Sequence, residues 1–353
     1  MDSPVPTARW MRDWARLPLM HPHRLLIAAF LVASCGGPPS WELTGGTMGT
    51  RFSVTIAEPI EEPLRNQLQR DIEAQLADVE NAMSTYLVDS EISRFNSSTS
   101  TGWFAVSEST CYAVQAAQGV SRLSGGAFDV TVGPLVNLWG FGPATVELKP
   151  PPQAAIDAAL ERVDYRRLHT DCNRPALRKE RADVYVDLSA YAKGLGVDEV
   201  AELLEAGGIE NYLVEIGGEI KLHGVDAGGD QWAVAIETPS GGRRTAGRIV
   251  SLSDKAMATS GDYRNFFEYE GQRYSHTIDP RTGRPTRHGL ASVTVIADRA
   301  ALADALATAL LVLGPDEGLA LARREGIAAY FQVRSADGFA EQETPAFKAA
   351  TGQ

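Results

Sequence analysis

The chain has 353 residues, of which 44% are hydrophobic and 22% charged, values that are ordinary for a folded globular protein. This length allows a substantial core in one large domain or in two. The formal net charge of −12 argues against a nucleic-acid partner, because binding a phosphate backbone requires a basic face. A phosphate-bearing ligand would need local help from a cation or from helix N-termini.

The N-terminal segment has the pattern of a bacterial export signal. Four arginines between positions 9 and 24 precede an uninterrupted apolar run over 25–33. This run is too short to span a bilayer as a helix and is typical of the hydrophobic part of a signal peptide. It ends in Val32-Ala-Ser-Cys35-Gly36, which resembles the lipobox of bacterial lipoproteins, where the cysteine thiol receives the lipid.

We therefore predict that residues 1–34 are a lipoprotein signal peptide and that residues 35–40 are a short tether. Cys35 would anchor the chain to lipid on the periplasmic side of a bacterial membrane. A plain signal peptide with a chance cysteine is the alternative. Translation could also start at Met11 or Met20, since either would leave the apolar run intact.

Besides Cys35, the sequence contains only Cys111 and Cys172. An exported protein could join this pair, but two cysteines without motif spacing are more often buried thiols. We expect no disulfide framework and no zinc site.

Hydrophobic periodicity and turn residues predict a succession of helices and strands after the tether. The predicted strands are 51–56, 183–188, 212–222, 232–237, 248–252, 266–269, 272–278, 292–297 and 327–333. The predicted helices are 64–83, 107–124, a shorter stretch from the prolines at 150–152 to 163, 192–206 and 300–313. Glu270-Gly271 separates two of the strands as a hairpin turn does.

Runs of adjacent strands mixed with helices favour an α+β fold over strict β-α-β alternation. We expect mixed or antiparallel sheets with packed helices, in a single two-lobed catalytic domain over residues 41–347. Residues 348–353 would form a C-terminal tail.

The predicted helix 300–313 is apolar on all sides except at Asp304 and Thr308. Such a helix is buried, and residues four apart share one of its faces. A buried carboxylate is costly unless it is paired or bound to a metal, and a carboxylate with a hydroxyl suits Mg²⁺. The alternative is an ion pair between Asp304 and a distant arginine, with the Thr308 hydroxyl bonded to its own helix.

Two further segments place chemistry-bearing residues near strand ends. Asp187 lies close to the end of the strand predicted over 183–188, and Lys193 lies in the first turn of the next helix. Free N–H groups at such positions attract phosphate oxygens, although an ordinary turn with a solvated lysine is the simpler interpretation. His276 precedes an Asp-Pro turn and could accept a proton near pH 7, although a lone histidine is more often structural.

Taken together and in order, ten segments of the sequence resemble the ApbE family of FAD:protein FMN transferases. The segments are Thr47-Met-Gly-Thr50, Met83-Ser-Thr-Tyr86 with Asp89-Ser-Glu-Ile-Ser-Arg-Phe-Asn96, Gly126-Ala-Phe-Asp129, Val132-Gly-Pro134, Asp187-Leu-Ser189, Ala192-Lys-Gly194, Glu215-Ile-Gly-Gly-Glu219, Thr259-Ser-Gly261, Ser275-His-Thr-Ile-Asp-Pro280 and Ala303-Asp-Ala-Leu-Ala-Thr308. Each motif is common by itself, whereas ten in this order are specific. The resemblance covers residues 41 to 335.

The resemblance implies a role for each matching position. His276 matches the proposed general base. The positions that match FAD contacts are Met48, Tyr86, Ala127, Phe128, Asp129, Asp187, Lys193 and Ile278. The positions that match Mg²⁺ ligands are the side chains of Asp304 and Thr308 and the backbone oxygens of Ala190 and Ala307. Some relatives carry Glu where this chain has Lys193.

The implied reaction is Mg²⁺-dependent transfer of the FMN moiety of FAD onto a Thr or Ser hydroxyl, with release of AMP. The implied partners are flavin-carrying subunits of membrane redox complexes or exported flavoproteins. Two alternatives remain open: hydrolysis of FAD to FMN and AMP at the same site, and a lipid-anchored FAD-binding protein without catalysis.

Overall fold

The computed structural model describes residues 40–143, 146–239 and 246–352. The predicted signal peptide, Cys35 and all of the tether except Ser40 lie outside these residues. The described helices are α1 (Glu62–Met83), α2 (Glu91–Ser97), α3 (Glu108–Leu123), α4 (Gly133–Leu138), α5 (Gln153–Leu160), α6 (Ser189–Ala206), α7 (Ala300–Arg324) and α8 (Pro345–Thr351).

Some strands alternate in burial, as β8 does, and others lie almost fully buried, as β15 does. In chain order they are β1 (Trp41–Thr47), β2 (Thr50–Ile56), β3 (Phe104–Ala105), β4 (Leu168–Asp171), β5 (Ala176–Lys179), β6 (Tyr212–Ile216), β7 (Glu219–His223), β8 (Trp232–Glu237), β9 (Ala246–Leu252), β10 (Lys255–Gly261), β11 (Phe266–Tyr269), β12 (Gln272–Ser275), β13 (Ile278–Asp279), β14 (Arg284–Pro285), β15 (Leu290–Ala297), β16 (Ala328–Ser335) and β17 (Gly338–Glu343).

The main sheet is antiparallel throughout and runs in the order β1-β2-β6-β7-β10-β15-β16-β17 within the described residues. Smaller sheets pair β8 with β9, β11 with β12 and β13 with β14, and join β3, β5 and β4. Antiparallel sheets with packed helices confirm the predicted α+β fold class.

Helix α7 lies at the centre of the molecule. It packs on β10, β15 and β16 on one side and on α3 and α6 on the other. By length and composition α7 could cross a membrane, but most of it is buried in the protein core. The prediction of an apolar buried helix is therefore confirmed, and α7 continues past the predicted end through a kink at Gly314, where φ is +82°.

Three predicted strands are wrong. The strand predicted over 272–278 is interrupted at 276–277 and divides into β12, which pairs with β11, and β13, which pairs with β14. The segment 212–222 is a hairpin, because Gly217 and Gly218 both adopt positive φ, at +63° and +112°, and reverse the chain. Residues 184–188 join no sheet, although Val184 and Val186 are buried as strand alternation predicts. The backbone N–H of Val186 donates to the Asn96 side chain, and that side chain donates to the Val186 carbonyl, so a side chain replaces a neighbouring strand.

The prediction of free buried cysteines is also wrong. Cys111 in α3 and Cys172, which follows β4, form a disulfide across 61 residues of sequence. The β4–β5 hairpin packs beside α3 and brings the two Cα atoms to 5.7 Å, within the range that a disulfide needs. Because tertiary packing creates this proximity, spacing in the sequence carried no signal of it.

Candidate active site

A cavity of about 1040 Å³ opens beside the main sheet, and helices, strand ends and loops all contribute to its wall. This volume is at the upper end of the usual range for small-molecule sites and is sufficient for a dinucleotide. The predicted site residues that line it are Met48, Tyr86, Ala127, Phe128, Asp129, Asp187, Ala190, Lys193, His276, Ile278, Asp304 and Thr308. Ala307 is fully buried in the core and does not line the cavity.

Helix α7 delivers Asp304 to the cavity because its N-terminus is fixed against α6. The buried Asp198 carboxylate accepts hydrogen bonds from the backbone N–H groups of Ala300, at 2.9 Å, and Ala301, at 3.1 Å. Gly194 permits the close approach of the two helices, since a Cβ there would lie 2.4 Å from the Ala300 carbonyl oxygen. Asp304, one turn further along α7, therefore reaches the first turn of α6.

Three charged side chains meet at the floor of the cavity, and we refer to Lys193, Glu219 and Asp304 as the deep cluster. Lys193 Nζ lies 2.9 Å from Glu219 Oε1 and 3.4 Å from Asp304 Oδ2. Asp304 and Glu219 are only 2% and 4% exposed. Asp304 therefore does form an ion pair, as the alternative interpretation predicted, but its partner is a lysine from the neighbouring helix and not a distant arginine.

Burial and mutual charge shift the proton affinities in the deep cluster. Burial raises the pKa of Glu219 to about 7, with Lys193 opposing the rise and Asp304 adding to it. Burial alone would lower the pKa of Lys193, but the carboxylates of Asp304 and Glu219 raise it above its ordinary value. The lysine therefore remains an ammonium throughout the physiological pH range.

The residues beside Asp304 fit a divalent cation of the hard, oxygen-preferring class. Asp304 and Thr308 present a carboxylate and a hydroxyl on one face of α7, and Thr308 Oγ1 is 2.8 Å from Ser260 Oγ. Ala190 departs from helical geometry, with φ −92° and ψ 22°. The N–H of Gly194, four residues after Ala190, donates to Asp304 Oδ2 at 3.3 Å.

Within the described ranges, no group of three or more His, Cys, Asp or Glu side chains is arranged to hold a metal ion. A site with few protein ligands suits Mg²⁺, which keeps several waters and binds substrate phosphates through its remaining positions.

His276 lies at the rim of the cavity, on the segment between β12 and β13. Its Nδ1 is 3.0 Å from the Asn265 carbonyl oxygen, which can only accept, so Nδ1 carries the proton and Nε2 has a free lone pair. Burial lowers the pKa of His276 below its ordinary value of 6.5, and the Lys193 ammonium lowers it further. The imidazole is therefore neutral at pH 7 and can accept a proton.

Several predicted ligand-contact residues use their polar groups to shape the cavity wall. The Asp129 carboxylate accepts from the Thr131 backbone and hydroxyl, at 2.7 and 2.6 Å, and from the Tyr165 N–H at 3.0 Å. Asp187 Oδ1 accepts from the Ser189 N–H at 2.8 Å, at the start of α6. The hydroxyl of Tyr86, 64% exposed, donates to the Phe141 carbonyl oxygen at 3.2 Å.

The sequence interpretation missed residues that support the site through other residues. Glu80 in α1 accepts from the Thr47 hydroxyl at 3.0 Å and from the Met48 N–H, and so holds the turn in which Met48 has φ +48°. Asn265 orients His276, and Glu219 holds Lys193. Glu219 belongs to one of the quoted motifs, whereas Glu80 and Asn265 lie outside all of them.

The comparisons with known proteins agree on one family. Residues 48–331 match the model of the ApbE family. The chain belongs to the ApbE family. A FAD:protein FMN transferase of Vibrio cholerae is 44% identical over 324 residues, which cover 92% of this chain and 96% of that relative. One of Haemophilus influenzae is 42% identical over 317 residues, with 88% and 91% covered.

Solved structures of ApbE proteins are also similar to this chain. The flavin transferase ApbE from Vibrio cholerae superposes with a TM-score of 0.81 at 43% identity, covering 88% of this chain and 99% of that one. The apo form of the Pseudomonas stutzeri flavinyl transferase ApbE gives 0.82 at 40% identity, covering 91% and 99%. The identity and the coverage place this chain among enzymes over most of its length.

Proposed function

We propose that this chain transfers the FMN moiety of FAD to a Thr or Ser hydroxyl of a target flavoprotein, releasing AMP in a Mg²⁺-dependent reaction. The observation that carries this proposal is a single cavity with a neutral histidine at its rim and a buried carboxylate–hydroxyl pair at its floor. Its relatives named FAD:protein FMN transferase support the choice of donor and group transferred.

The rim residues prepare the acceptor. His276 Nε2 removes the hydroxyl proton, while Nδ1 keeps its hydrogen bond to Asn265 and holds the ring in one tautomer. The deprotonated oxygen forms the new P–O bond to the FMN phosphorus, the pyrophosphate P–O bond breaks, and AMP leaves with the bonding electron pair. Proximity and orientation supply much of the rate for such a displacement.

The floor residues hold the donor. Asp304 and Thr308, with the Ala190 carbonyl, would hold Mg²⁺, which neutralises charge on the phosphates when bound. Lys193 adds a positive charge at the same end of the cavity. An acidic protein needs such local positive charge to bind the doubly charged pyrophosphate of FAD.

We further propose that the protein works outside the cytoplasm, anchored through Cys35. The predicted export signal and the Cys111–Cys172 disulfide support this, because disulfides persist in oxidising compartments. Its partners would be flavin-carrying subunits of membrane redox complexes or exported flavoproteins.

Incubation with FAD, Mg²⁺ and an acceptor flavoprotein, followed by mass spectrometry, tests the proposal. Covalent FMN on the acceptor supports transfer. Free FMN and AMP with an unmodified acceptor would point to hydrolysis, and unchanged FAD to binding without catalysis.

A further inference from the structure

Glu219 has no part in the transfer reaction as described above, yet it lies in the deep cluster. It begins β7 directly after the β6–β7 turn and lines the cavity. Its Oε1 is 2.9 Å from Lys193 Nζ. Its Oε2 is buried and has no hydrogen-bond partner among the described residues. A buried carboxylate oxygen without a partner costs free energy, so it needs a physical explanation.

Lys193 lies beside Asp304, where a bound cation would also lie. The contact between Lys193 Nζ and Asp304 Oδ2 is 3.4 Å, longer than the 2.9 Å contact with Glu219. An ammonium and a divalent cation at one buried carboxylate repel each other strongly, because little water screens them. Metal binding at Asp304 therefore favours movement of the Lys193 ammonium, whose side chain is 30% exposed, away from Asp304 and towards another acceptor.

We infer that Glu219 is a positioning residue that takes Lys193 from Asp304 when a divalent cation binds, and that this exchange sets the metal affinity. The unpartnered Oε2 provides the acceptor that Lys193 needs after it leaves Asp304. Gly217, in the turn that precedes Glu219, lies beside the lysine, since a Cβ there would be in van der Waals contact with Lys193 Cδ at 3.4 Å. The inference rests on the proposed function only in assigning the metal to Asp304.

Isothermal titration of MgCl₂ into the metal-free full chain tests this exchange without any need for turnover. Glu219→Gln, which leaves Asp304 as the only carboxylate that pairs with Lys193, should weaken Mg²⁺ binding about tenfold. Lys193→Met, which removes the competing cation, should tighten it about tenfold. If Glu219 acts through Lys193, adding Glu219→Gln to Lys193→Met should change the Kd by less than about threefold.

Two control variants test whether the change in the Mg²⁺ Kd arises at the deep cluster. Asp304→Asn should abolish the titration, and Lys221→Met should leave the Kd unchanged, because Lys221 lies 3.8 Å from the buried Asp198 but outside the cavity. Thermal unfolding of each variant checks that it is folded. If Glu219→Gln fails to fold, Lys193→Met still decides, since a Kd no tighter than wild type overturns the inference.

The inference is also overturned if the wild type shows no saturable Mg²⁺ binding, or if Glu219→Gln weakens binding equally with and without Lys193. The transfer assay on the same preparations separates the two proposals. If the Mg²⁺ titrations give the expected changes in Kd but no transfer is observed, only the proposed function is contradicted. If transfer is normal but the substitutions leave the Kd unchanged, only the exchange is contradicted.

Discussion

The floor and the rim of the cavity are built in different ways. At the floor, Lys193 and Asp304 lie on packed helices and their charged groups pair with one another, the carboxylate nearly fully buried and the lysine side chain 30% exposed. At the rim, Tyr86 and His276 lie on connecting segments and bond to backbone carbonyl oxygens of Phe141 and Asn265. Rigid helices suit the binding of FAD, the FMN donor, which must be held in one geometry. Accessible segments suit the acceptor hydroxyl, which arrives on another protein.

The largest effect is expected at the floor. Asp304→Asn keeps the shape of the side chain but removes its charge, and with it the metal. Loss of several kcal/mol of charge stabilisation should lower the transfer rate about a thousandfold. Stopped assays with labelled FAD would measure this. Asp298→Asn, at an exposed residue paired with Lys255, is the control and should retain wild-type activity. Substantial activity of Asp304→Asn, or of the wild type in excess EDTA, would refute the metal model.

The next effect concerns the rim. His276→Ala should lower transfer about a hundredfold or more, since general-base catalysis contributes that much. FAD affinity, measured by flavin fluorescence, should change little because the floor is intact. His169→Ala, at a surface histidine that pairs with Glu180, should behave as wild type. An unchanged transfer rate in His276→Ala would remove the general-base role.

The pH dependence of kcat/KM gives a further test of the role of the rim. Burial lowers the pKa of His276 below 6.5, so the base is neutral and active above that depressed value and is lost as the pH falls through it. The acid limb of kcat/KM should therefore have its midpoint below pH 6.5 and fall about tenfold per pH unit beneath it. His276→Ala should lack this limb. A midpoint above pH 6.5 would contradict the lowered pKa of the His276 imidazole.

The smallest effect on activity is expected away from both regions. Neither Cys111 nor Cys172 lines the cavity. Replacing both by Ala should lower the free energy of unfolding by about 4 kcal/mol, because the disulfide closes a long loop in the unfolded chain. Denaturant unfolding measures this loss, and the transfer rate of the folded variant should match wild type. If the double variant and the reduced wild type are both as stable as the oxidised wild type, the disulfide contributes nothing to stability.

The sequence predicted the fold where local pattern and tertiary structure agree. The strands 232–237 and 266–269 have the predicted bounds, and the apolar stretch at 300–313 is the buried start of α7. It failed where a distant group decides the outcome. The Asn96 side chain bonds both backbone groups of Val186 in place of a strand, and the packing of α3 brings Cys111 to Cys172.

The site was predictable only in part, for a similar reason. A buried Asp304 in an apolar helix indicates by itself that a partner must exist. That the partner is Lys193 depends on Gly194, which allows α6 and α7 to touch, and no spacing rule contains that information. The tautomer of His276 likewise depends on Asn265, which lies on a different segment. The functional role of each residue stays a prediction.

Intact-mass measurement of an acceptor flavoprotein after a single turnover tests the central claim most directly. With equimolar FAD and Mg²⁺, the wild-type enzyme should add one FMN to each acceptor and release an equal amount of AMP. Over the same time, His276→Ala should leave the acceptor mass unchanged and release no AMP. Release of AMP and free FMN while the acceptor keeps its original mass would contradict transfer.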